Sequence, residues 1–120
     1  MSQETRQARM LQEQVPPNIR KITQAADETA YTIAVDDQVV HVTTTADEGN
    51  ITLTLPSVAM AAGKIYTIML ITLGDDEVIS IVDNDDSVDW SDITDMDAAN
   101  DSVCLYSDGY KWHVLLNDIA

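Results

Sequence analysis

From Tyr31 onward the chain is a succession of short β-branched runs, each soon broken by Asp, Asn, Gly or Pro. Val, Ile and Thr lose side-chain freedom against a helical turn but pack well on a pleated surface. YTIAV (31–35) and QVVHVTTT (38–45) flank Asp36-Asp37, a turn candidate. NITLTLP (50–56) alternates, with Ile51, Leu53 and Leu55 on one face and Thr52 and Thr54 on the other. Pro56 ends that strand. SVAMAAG (57–63) is a small-residue connection with room for one helical turn. KIYTIMLITLG (64–74) is apolar at both parities, which predicts a strand buried on both faces. EVISIVD (77–83) follows the Asp75-Asp76 turn. The Asp-rich stretch from Asn84 to Asn100 predicts a loop, with a short strand around Val88 to Trp90. SVCLY (102–106), Ser107-Asp108-Gly109 and YKWHVLL (110–116) predict a closing hairpin, with Gly placed for positive φ. About seven strands at regular spacing predict an all-β fold, a small sandwich or barrel-like body. No internal repeat of useful length is visible.

The first part of the chain is different. Residues 3–14 hold helix formers without Gly or Pro, and Ser2 can cap them. Their apolar stripe is thin: Ala8, Leu11 and Val15. A helix this short is marginal alone in water. Pro16-Pro17 stops it and imposes extended geometry. Residues 1–26 therefore read as an arm that orders on binding, and residues 27–120 as the β domain. Charge divides the chain in the same region. Residues 1–21 carry Arg6, Arg9, Arg20 and Lys21 against Glu4 and Glu13, a net +2. Residues 22–120 carry only Lys64 and Lys111 against nineteen acids, a net −17. Such a body repels nucleic acid and anionic membranes. No apolar run is long enough to span a bilayer, and the N-terminus lacks a signal-peptide apolar region. Synthesis and folding in the cytoplasm are expected. A body this small gains from an extra source of stability, such as self-association.

No chemistry stands out. His41 and His113 lie in strands without metal-motif spacing, and Cys104, the sole cysteine, reads as a buried strand residue. No phosphate-cradling loop or nucleophile elbow is present. Asp83, Asp85 and Ser87 begin like an EF-hand loop, but Val88 stands where that loop needs Gly, and Thr94 stands where it needs Glu. A looser calcium site from Asp83, Asp85, Asp86 and Asp89 competes with a solvated acidic loop, which is favoured. No cofactor is expected. A carbohydrate-binding module or glycan hydrolase is a further reading, in which exposed Trp90, Tyr110 and Trp112 would stack on sugar, but the alternation of Trp112 with Lys111 and His113 favours core packing for it.

From Ile51 onward the chain resembles a β-module of phage head-decoration (cement), spike and fibre proteins. The residues are ITLTLP (51–56), GKIYTI (63–68), EVISIVD (77–83) and VCLYSDGYKWHVL (103–115), covering about half the chain. One departure is Val88-Asp89-Trp90, where related modules often carry an I-D-G-like turn. The resemblance implies a homotrimer without a catalytic site. The expected function is capsid decoration on the outer surface of the virion. The arm, through Arg6, Arg9, Leu11, Val15, Pro16, Pro17, Arg20 and Lys21, would bind the major capsid protein. A tail-associated short fibre or receptor-binding protein is the alternative.

Overall fold

The computed structural model describes residues 18–74 and 77–119. These carry nine strands and no helix: β1 (Ile19–Thr23), β2 (Ala30–Thr32), β3 (Val39–Thr43), β4 (Ile51–Thr54), β5 (Ile65–Thr72), β6 (Ile79–Val82), β7 (Ile93–Met96), β8 (Ser102–Ser107) and β9 (Trp112–Asp118). They form two sheets, one ordered β1-β3-β5-β8-β9 and the other β2-β4-β6-β7. The all-β expectation holds.

The connectivity differs from a meander of hairpins. Strands β1 to β6 alternate between the sheets, and each lies parallel to the strand two before it. The chain thus winds through three stacked two-strand rungs. The step is 20 residues from Ile19 to its partner Val39, then 28 from Val39 to Thr67. In the other sheet it is 22 from Ala30 to Thr52, then 28 from Ile51 to Ile79. The sequence shows no repeat of useful length because the repeat is structural and its corners differ in length. Asp36 lies in a tight turn, with Asp37 N–H donating to Ala34 O at 3.0 Å, but the turn carries the chain from one sheet to the other. The winding ends in antiparallel strands. β7 pairs with β6, β8 with β5, and β9 with β8.

Alternation fills the space between the sheets. Val40, Val42, Tyr66, Ile68, Leu70, Val103 and Leu105 face Ile51, Leu53, Ile79 and Ile81, all fully buried. Burial of this apolar surface is the main drive to fold. β5 is covered on one face only: Tyr66, Ile68 and Leu70 are inside, whereas Ile65 and Ile71 are 54% and 38% exposed. The expectation of burial on both faces is corrected. Cys104 is likewise half-buried on the outer face, because Val103 and Leu105 take the inner parity. The acidic stretch does contain a strand, but at Ile93–Met96 rather than Val88–Trp90.

One end of the rungs is held by polar groups. Gln24 is buried, and its Nε2 donates to the carbonyls of Glu28, Glu48 and Gly49 at 2.9, 3.2 and 3.0 Å. Its Oε1 accepts from Thr45 N–H at 3.0 Å. One side chain thereby closes the corner of the first rung onto that of the second. Thr44 Oγ1 accepts from Gly74 N–H at 2.7 Å and joins the second corner to the third. Glu77, on the β5–β6 corner, is buried with neither carboxylate oxygen hydrogen-bonded among the described residues. The surrounding packing has to offset that cost.

Tyr66 links both layers to the closing hairpin. Its ring meets Trp112 edge-on at 5.4 Å, and its hydroxyl donates to Val35 O at 2.6 Å. Burial, with Asp36 and Asp37 nearby, pushes its hydroxyl up to about 12 from the usual 10.0. The folded state therefore holds this proton at pH values where the unfolded chain has released it. Stability from this group is intact below pH 10 and falls as pH rises toward 12. The loss should be on the order of 2 kcal/mol. Denaturant melts of wild type and Tyr66→Phe between these pH values check it, with the alkaline slope reduced in the variant. Equal slopes would disprove the assignment.

Candidate functional site

The expected arm residues divide at Asn18. Arg6, Arg9, Leu11, Val15, Pro16 and Pro17 lie outside the described residues. Arg20 and Lys21 lie on β1, an edge strand of the five-stranded sheet. Arg20 Nη1 donates to Thr32 O at 2.7 Å and to Asp37 Oδ2 at 2.9 Å. Asp37 Oδ2 also accepts from Ala34 N–H at 2.9 Å. Arg20 thus staples β1 to the next corner. Lys21 is exposed, on the outer face of β1 opposite His41.

Two carboxylates of the acidic loop are occupied by backbone amides, one from the loop itself and one from the 57–63 connection. Asp83 Oδ2 accepts from Ser87 N–H at 3.0 Å, and Asp86 Oδ2 accepts from Val58 N–H at 3.1 Å. Asp85 and Asp89 hold left-handed backbone at φ 60° and 55°, a conformation Asp tolerates in turns. No group of three or more His, Cys, Asp or Glu among the described residues is placed to hold a metal ion. The aromatic trio is separated too. Trp112 is buried against Tyr66. Trp90 is half-buried, with Nε1 donating to Asp92 Oδ1 at 2.8 Å. Of the three, Tyr110 alone is largely exposed, at 78%.

The closing hairpin is the most tightly determined surface feature. Asp108 Oδ1 accepts from Tyr110 and Lys111 N–H, each at 2.8 Å, and its Oδ2 lies 2.8 Å from His113 Nε2. The hydrogen bond with His113, followed by those from the two amides, holds the Asp108 carboxyl well below the usual carboxylate range. His113 stacks on Tyr106, with centroids 4.8 Å apart and planes 13° from parallel. Gly109 takes the positive φ, 97°, that the turn requires. Ser107 Oγ donates to Val58 O and ties the turn to the small-residue connection.

No family model, curated protein or solved structure matches the chain. The surface itself must therefore supply the functional reading.

The strand registers resolve that surface. Across the outer face of the five-stranded sheet, one row reads Ile19, Val39, Thr67, Cys104, Leu116. A second reads Lys21, His41, Met69, Ser102, Asp118. Ile65, Tyr106 and His113 begin a third. Asp118 is the only acid in these rows, in a chain with twenty-one. The other sheet presents Ala30, Thr52 and Ser80, then Thr32, Thr54 and Val82, an ordinary hydroxyl-rich water face. Beside the first face, Val114, Leu115 and Leu116 of the edge strand β9 are 45%, 53% and 58% exposed. An apolar free edge of this kind is a template for association. Sequence reading missed the face because its apolar residues come one or two from each strand and join only when the parallel register is known.

Proposed function

We propose that the protein is a phage capsid decoration, or cement, protein: a homotrimer on the outer capsid surface that binds and stabilises the major capsid protein lattice through its N-terminal arm. The contrast in charge between residues 1–17, where Arg6 and Arg9 balance Glu4 and Glu13, and the strongly acidic rest of the chain carries this reading. A charge-balanced segment lies along another protein surface while an acidic body remains in water. Three copies of a weak anchor bind far more firmly than one. The resemblance to phage β-modules supports it, since its residues fall on β4, β5, β6 and the β8–β9 hairpin, which lie in one continuous core. The outer sheet face, which holds Asp118 as the one acid in its paired rows, supports self-association.

Deletion of residues 1–17 is the test. A cut at residue 25 would also remove β1 and the Gln24 corner, and would confuse folding with binding. The shortened chain should keep its β-sheet circular dichroism and its oligomeric mass, and lose co-sedimentation with phage particles. Undiminished binding would refute the arm's role. Copy number in purified virions separates head from tail: many copies place the protein on the capsid, and a few would favour a tail-associated fibre.

A further inference from the structure

We infer that the outer face of the five-stranded sheet is where copies of this chain pack, three about an axis running along the strands, with β9 of each copy against β1 of the next. This names the surface for the self-association proposed above and rests on that part of the reading alone.

Charge selects the occupant. A body with four basic residues against nineteen acids over residues 18–120, a net −15, keeps like copies apart wherever its acids face one another. Within its paired rows the outer sheet face carries one acid, Asp118, at the end of one row, and Asp108 reaches it only through His113 at the turn end, so two copies can meet over the middle of the face. The ends of the rows are complementary. Ile19 and Lys21 stand on the free edge of β1; Leu116 and Asp118 stand on the free edge of β9, in the same two rows. A head-to-tail contact sets Leu116 on Ile19 and Asp118 beside Lys21 of the next copy.

Direction agrees. β1, β3 and β5 are parallel, β8 opposes β5, and β9 opposes β8. β9 therefore runs the same way as β1. Rotation about an axis along the strands preserves direction, so every β9 meets the next β1 in the same parallel sense.

Width decides the number. Five strands at about 4.8 Å span roughly 24 Å. Three such sheets closed into a prism stand roughly 7 Å from the axis, and four stand roughly 12 Å away. Packed sheets lie about 10 Å apart, so side chains from each reach about 5 Å. Three copies nearly fill the centre with Val39, Thr67, Met69 and Cys104, whereas four would leave a channel. A face-to-face pair would also fill its interface, but it would leave Val114 and Leu115 in water. The β9-to-β1 contact covers them.

Native mass and sedimentation of the full chain should give a trimer. Thr67→Arg, at the middle of the face, should give a monomer with unchanged circular dichroism. Lys21→Asp and Asp118→Lys should each weaken the trimer by roughly tenfold, and the double reversal should restore it. With Cys104→Ser as background, Ile19→Cys combined with Leu116→Cys should form oxidised bands that stop at three chains. A monomeric wild type would end both this inference and the trimeric part of the proposed function. A trimer indifferent to Thr67→Arg and to the charge reversals would end the surface assignment alone. Bands that stop at two chains would show a face-to-face pair and overturn the threefold packing. None of these measurements involves particles, so failure to find the protein on virions leaves them standing.

Discussion

Gly74→Ala should destabilise the body by about 3 kcal/mol or more. A Cβ at this position would sit 2.5 Å from Ala46 N, 2.8 Å from Thr45 C and 2.9 Å from Thr44 O. All three are backbone atoms of the adjacent corner, so no side chain can swing aside. The rungs would have to separate there, and the 2.7 Å bond from Gly74 N–H to Thr44 Oγ1 would go with them. Gly63→Ala is the matched control. Gly63 has φ +79° and open space around its missing Cβ, so its cost is conformational alone. That cost is about 1 kcal/mol. Urea midpoints measured together should rank Gly74→Ala far below Gly63→Ala. Similar midpoints would mean that the corners are not in contact as described.

The second large effect is expected at Gln24. Gln24→Ala removes the donor to three carbonyls and the acceptor for Thr45 N–H in a buried corner. Each buried group left unpaired costs about 1–3 kcal/mol, and water can enter to relieve part of it. A net loss of about 3 kcal/mol is expected, enough to lower Tm by more than about 10 °C in a body this size. Gln24→Glu sharpens the test. It keeps an acceptor for Thr45 but turns a charged oxygen toward three carbonyl oxygens. It should therefore be at least as damaging as Ala near neutral pH, despite its nearly identical shape. A harmless Gln24→Glu would show that Gln24 fills space rather than bonding the corners.

These two positions also show what could be read from the sequence. The alternation of Ile51, Leu53 and Leu55 against Thr52 and Thr54 was legible because one face of β4 is covered and the other is not. The hairpin around Ser107-Asp108-Gly109 was legible because its turn needs a positive φ. Burial of β5 was misread. Ile65 and Ile71 are as apolar as core residues, yet they face outward, and periodicity does not separate a core from an association surface. β7 was misplaced because Ile93 and Met96, its buried residues, are three apart and break strict alternation. Its pairing with β6 slips register between Ile79 and Ile81, which accommodates that spacing. The rungs were hidden because equivalent residues recur at steps of 20 and then 28, so no fixed period exists to find. Gln24, placed in an extended arm by composition, belongs to a corner that exists only once the second rung is in position.

The order of the five-stranded sheet has a consequence for synthesis. β5, its middle strand, takes one neighbour from β3 and the other from β8, which lies some thirty residues further along the chain. As the polypeptide leaves the ribosome, each rung must wait for a later one to cover it. A nascent chain ending near residue 100 exposes the β5 edge with Ile65, Ile68 and Met69 along it. Emergence of the β8–β9 hairpin closes that edge, so the five-stranded sheet is completed only once both of these strands have left the ribosome.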